Sequence, residues 1–319
     1  MRSFLASVLL AAAGAAHAAP WWSAFHDATL NLVLATADEA PPAQRLHLQA
    51  QLAADYVQLR AATGRLVTAR MLADTLQREQ QLVDAGSEDA RRVAPLLQEA
   101  LSRVQRFEQL RTEALAALAA HAAPHRTSEE WAALLEPVLV DPRPTLPDFE
   151  LPRQVSGLVL RRRADVAGAE TELARDGRSS GAEQLRLARY LQALATPITA
   201  DADALPLPGL PQDPEDVLGR ARSDVARRLA ILTATERAAR EQLALLQKLQ
   251  PAYAQLEQSF RQGGVTAQET LQAFSGLLVE EDRMAAANGQ LALAWIAWQA
   301  GIGGAGEAST SELLGAGSP

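Results

Sequence analysis

The chain holds five histidines and no cysteine. His121 and His125 stand four apart, the spacing at which one helix face presents two imidazoles to a single metal ion. Pro124 lies between them and breaks the helix that would align them. The other histidines do not cluster, so no metal centre is expected. Without cysteine there is no thiolate nucleophile and no disulfide. The Gly-x-Ser-x-Gly elbow of a serine hydrolase is absent. Gly301-Ile-Gly-Gly-Ala-Gly306 has the look of a phosphate loop, but it follows a helical pattern and not a strand, so that context fails. The carboxylates are spread along helix faces where solvation, not acid–base chemistry, is the expected role. The chain is predicted to be no enzyme, with no catalytic residue, no cofactor and no metal.

Composition points the same way. The formal net charge is −8 and Lys248 is the only lysine, which excludes a basic surface for nucleic acid. Alanine is abundant and β-branched residues are few, which favours helix. Residues 1–18 read as a secretory signal peptide: Arg2, an apolar run from Phe4 to Ala16, and the small-x-small site Ala16-His17-Ala18. An exported protein of the cell envelope is therefore expected. No later run reaches the ~18 apolar residues of a membrane helix; the nearest, Leu291 to Ile302, is a core-facing helix end.

The elements that remain are long helices. Trp22, Phe25, Leu30 and Val33 line one side of a short helix in an N-terminal arm, 19–42, which Pro41 and Pro42 close. The first helix, Ala43 to Asp84, carries a narrow stripe of Leu52, Tyr56, Leu59, Leu66, Ala69, Leu76 and Val83. Asp84-Ala85-Gly86-Ser87 turns the chain, with Gly86 suited to a positive φ and Ser87 to capping. The return helix repeats Val93, Leu97, Ala100, Val104, Phe107, Ala114 and Leu118 in steps of about four and three, a coiled-coil seam. A proline-rich connector spans 122–164, with one short helix at Trp131 to Leu135. Arg161, Arg162 and Arg163 read as a solvated turn before a helix that Asp165 caps and Val166 starts. Residues 165–212 hold a helix at Ala182 to Leu194 and then a loop.

Asp213-Pro214-Glu215-Asp216 is a strong helix start, with a capping Asp and Pro at the first helical position. Val225, Leu229, Leu232, Ala239, Leu243, Leu246, Tyr253 and Phe260 then keep a seven-residue rhythm, and Pro251 is expected to kink or break the helix. Arg261-Gln262-Gly263-Gly264-Val265-Thr266 makes a second turn, and Ala267 to Ala300 returns. The chain thus predicts two copies of one antiparallel hairpin, 43–121 and 213–304, with Gly86 and Gly264 in corresponding turns at the same end. Residues 305–319 read as a disordered tail.

Four segments in order make the chain resemble the TolC-like outer membrane efflux proteins, in particular the NodT-type branch that serves resistance-nodulation-division pumps. The stretch Trp21 to Val33 resembles that family's opening Trp-Trp-x-x-Phe-x-Asp-x-x-Leu. Leu52 to Ala62 is similar to the start of its first long helix. Leu158 to Glu170 resembles Leu-Leu-Arg-Arg-Arg-Pro-Asp-Val-x-x-Ala-Glu, with Ala164 in place of proline. Phe260 to Ala273 resembles its Tyr-x-x-Gly-x-x-Ser-x-x-Asp-x-Leu-x-Ala turn, with Phe260, Thr266 and Glu269 as conservative departures. Gly301 to Gly304 is similar to its closing glycine run.

The resemblance implies an all-α chain of two long hairpins, packed as an elongated bundle or as one sector of a tubular coiled-coil barrel. It implies an outer membrane factor of a tripartite efflux system. A periplasmic adaptor and an inner-membrane pump would be its partners, in a homotrimer or in co-assembly with a barrel-bearing homologue. The adaptor-contact tips would be Asp84, Ala85, Gly86 and Ser87, with Arg261, Gln262, Gly263, Gly264, Val265 and Thr266. Two departures stand out. The places of the family's two strand pairs, before Ala43 and between Arg175 and Asp213, lack the alternating ~10-residue segments of a membrane barrel. The branch's lipid-bearing cysteine is also missing. A barrel-less outer membrane factor is one reading; a soluble periplasmic structural or interaction protein without channel activity is the alternative.

Overall fold

A computed structural model of the chain describes residues 20–122, 127–140, 146–176, 181–200 and 213–303. The expected signal peptide, His125, the loop at 201–212 and the C-terminal tail lie outside the described residues. Two hairpins dominate. In the first, α2 spans Pro42–Leu82 and α3 spans Glu88–Ala122. In the second, α7 spans Pro214–Arg261 and α8 spans Ala267–Gly303. At 1.5 Å per residue these are rods of roughly 50–70 Å. Between and before them lie α1 (Ala28–Leu34), α4 (Ser128–Val140), α5 (Ala164–Asp176), α6 (Gly181–Ala195) and three 3₁₀ segments, Trp21–Phe25, Ala35–Glu39 and Gly157–Arg162. Among the described residues no strand forms; Val155 and Ile198 make one isolated antiparallel bridge. The all-α expectation holds.

The four long helices stand in the order α3, α2, α8, α7. Extensive contacts join α3 to α2, α2 to α8 and α8 to α7, and α3 has no comparable contact with α7. A closed bundle would pack the first helix on the last. This row is open, with α3 and α7 as the outer edges of the four long helices. The predicted stripes are the faces the row buries. Leu52, Tyr56, Leu59, Leu66, Ala69 and Leu76 of α2 are buried, as are Val93, Ala100, Phe107, Ala114 and Leu118 of α3. On α7 the stripe is buried only in part. Val225, Leu229, Leu232, Ala239 and Leu246 are covered, but Leu243 and Phe260 stand exposed, since this edge helix has one long neighbour only.

The largest core lies away from the turns. There Phe25, Leu30, Val33 and Leu34 of the arm meet Leu118 of α3, Leu135 of α4, Leu160, Val166 of α5, Leu194 of α6, Leu229 of α7 and Ile296 of α8. Several expectations need correction here. Of the two outcomes expected at Pro251, a kink or a break, the break does not occur: α7 continues to Arg261, and Pro95 and Pro137 likewise sit inside α3 and α4. In a long helix packed along its length, tertiary contacts outweigh the loss of one backbone bond. The short connector helix runs well beyond Trp131 to Leu135 at both ends; its earlier start is set by the reciprocal capping box of Thr127 and Glu130. Helix α5 begins at Ala164, not Val166, so Asp165 lies in its first turn.

Candidate functional site

The two hairpin turns meet at one end of the row. Asp84 to Ser87 close a turn through the Ser87 N–H donating to the Asp84 carbonyl at 3.0 Å, with Gly86 at φ +87°. Such a φ is strained for any residue with a Cβ. Ser87 Oγ then accepts from the Ala90 N–H at 3.1 Å, the predicted cap of α3. In the second turn Gly263 takes φ +77°, its N–H donates to Phe260 O, and the Gly264 N–H reaches back to Ser259 O, both at 2.9 Å. This paired ending is a Schellman motif, so Gly263 carries the left-handed position and Gly264 closes the outer bond. Thr266 and Glu269 form a capping box at the start of α8. The backbone and side-chain hydrogen bonds from Thr266 hold the Glu269 carboxyl below its usual range.

Across the gap, Gln268 Nε2 donates to Asp89 Oδ2 at 2.9 Å. That contact ties the first turn of α8 to the first turn of α3 and puts Gly86 and Gly264 at the same end, as the internal repeat predicted. Of the ten proposed tip residues, Ser87 and Val265 are half-buried and Asp84, Ala85, Gly86, Arg261, Gln262, Gly263, Gly264 and Thr266 are exposed. Behind them a small cluster of Leu72, Leu76, Val93, Ala100 and Leu278 binds α2, α3 and α8 together. The result is a compact tip with an exposed backbone-rich crown and no metal-ligating cluster among the described residues.

Away from the tips, the sequence motifs prove to be polar clasps. Asp27 caps α1 by accepting from the Thr29 and Leu30 N–H groups at 2.9 and 3.1 Å. Its other oxygen accepts from the Tyr56 hydroxyl at 2.8 Å and from Arg60 Nη1 at 2.6 Å. The opening motif and the first-helix motif therefore lock onto each other. Burial, with the Asp27 carboxylate beside it, raises the Tyr56 hydroxyl well above the ordinary tyrosine range.

The arginine run is more than the solvated turn it suggested. Arg161 pairs with Glu170, and Arg163 is buried. Arg163 donates to Asp165, to Asp224 of α7 at 3.0 Å and to the Gly301 carbonyl of α8 at 3.2 Å. Arg228 also binds Asp224, and donates to the Ala297 carbonyl at 2.6 Å. A Cβ at Gly301 would lie 2.5 Å from Arg228 Cδ, so that glycine serves close approach and not phosphate binding.

Some residues escaped sequence reasoning. The carboxylates do not all lie on solvated faces: Asp27, Asp55, Glu79 and Asp282 are buried. Asp282 of α8 takes a two-point grip from Arg65 of α2, at 2.8 and 3.2 Å. This partly buried ion pair joins the two hairpins, and Arg103 of α3 approaches the same carboxylate at 3.9 Å. Asp55 meets His121 Nδ1 at 2.6 Å, so this histidine is engaged across the hairpin. Burial raises the Asp55 carboxyl, with the His121 contact opposing that rise. Nothing in the sequence around Asp282 marked it out from the other carboxylates of α8.

No family model and no curated protein matches the sequence. Solved structures do. A structure of CusC, described for the conformational changes accompanying folding and transmembrane channel formation, superposes with a TM-score of 0.59 at 14% identity. The match covers 89% of this chain and 94% of that one. The open-state MtrE outer membrane channel of Neisseria gonorrhoeae gives 0.54 at 17% identity, over 86% of this chain and 71% of that one. The CmeC outer membrane channel of Campylobacter jejuni gives 0.50 at 13%, over 92% and 71%. The fold is that of the TolC-like outer membrane channels.

Proposed function

We propose that this chain is a TolC-like outer membrane factor of a tripartite efflux system, contributing helical wall and adaptor contact. The observation that carries it is the open row of four helices with both turns gathered at one end. An open row leaves two helix edges for neighbours in a larger tube, and gathered turns present one polar crown to a partner. On this reading a periplasmic adaptor meets Asp84 to Ser87 and Arg261 to Thr266 and links the chain to an inner-membrane pump of the resistance-nodulation-division type. A homotrimer, or co-assembly with a barrel-bearing homologue, completes the tube. The membrane passage comes from another subunit, because the sequence holds no alternating ~10-residue segments of a membrane barrel before Ala43 or between Arg175 and Asp213. An exported protein, held at the outer membrane by its partners, follows.

The test is fractionation combined with photo-crosslinking from a probe at Gln262. Sedimentation with outer membranes and a crosslink to an adaptor are expected. Release with the periplasm and no adaptor crosslink would instead favour a soluble periplasmic interaction protein of the same fold. The absence of strands among the described residues is what speaks for that second reading. Enzymatic activity is not part of either.

A further inference from the structure

We draw no further inference here: the strongest candidate, the apolar cavity that Val57, Ala61, Phe107, Leu110, Gly289 and Leu293 line between α2, α3 and α8, carries none because nothing in the structure shows what covers it.

Discussion

Removing the Asp27 carboxylate tests the clasp between the N-terminal arm and α2. The side chain of Asp27 is 4% exposed and that of Arg60 13%, so their ion pair is largely shielded from water. Asp27→Ala removes three things together. The α1 cap is worth about 1 kcal/mol. The Arg60 guanidinium loses its ion pair with Asp27 while keeping its 3.1 Å bond to the Tyr56 hydroxyl, which costs about 3 kcal/mol. The Tyr56 hydroxyl proton, 2.8 Å from the lost oxygen, is orphaned, at about 1 kcal/mol. These losses overlap, and about 4 kcal/mol is expected in total, or roughly 8 °C in Tm for a chain of this size. Asp27→Asn keeps an acceptor for the cap and loses only the charge, so about half the effect is expected. Urea and thermal melts followed by circular dichroism measure both variants. Tyr56→Phe should cost about 1 kcal/mol in the native background and a different amount in the Asp27→Ala background, where the Tyr56 hydroxyl is the remaining acceptor for Arg60 Nη1 at 3.1 Å. A loss below about 1 kcal/mol for Asp27→Ala, or strict additivity of the pair, would refute the clasp.

Four further outcomes are expected. Asp89→Cys with Gln268→Cys should be joined by a short bis-maleimide crosslinker, visible as a gel shift in a chain with no other cysteine, because the ends of the native side chains meet at 2.9 Å; absence of the crosslink would separate the two turns. Gly301→Ala should destabilise by about 1–3 kcal/mol through overpacking, since Arg228 is held at both ends and cannot yield; a neutral melt would show that it can. Burial works against the Asp165 charge, but its bonds to Arg163 prevail and hold its pKa below the usual value. That stabilisation is complete above the unfolded carboxyl pKa, near 4, and is lost as pH falls through the folded value; an acid titration in which wild type and Arg163→Met lose stability in parallel below pH ~4 would contradict it. Finally, the purified protein without its expected signal peptide should alone give no conductance in planar bilayers, and reproducible single-channel steps would overturn the proposal that another subunit supplies the passage.

The fold was largely legible because its local codes are strong. Seven-residue apolar repeats named the buried faces of α2 and α3, and Asp213 with Pro214 marked the start of α7, where Asp213 Oδ1 accepts from the Asp216 N–H at 3.0 Å. Ser87 and the paired glycines placed both turns. Leu243 and Phe260 show the limit of that code: periodicity marks a face, but only the neighbours present decide whether it is covered. Pro251 shows another, since a helix interior tolerates proline when packing along its length compensates.

Sequence alone determined the helical class, the two hairpins and the turn residues, because each depends on residues within a few positions of one another. Tertiary structure decided the rest. The order α3, α2, α8, α7 and its open edges depend on which stripes meet across the chain, and a stripe does not name its partner. The clasps depend on it too: Arg65 and Asp282 are 217 residues apart, and Arg163 and Gly301 are 138 apart. In sequence Arg163 and Asp282 are ordinary surface charges. A charge is kept inside a protein only where an opposite charge or carbonyl reaches it in a fixed geometry, and that geometry exists only once distant helices have packed.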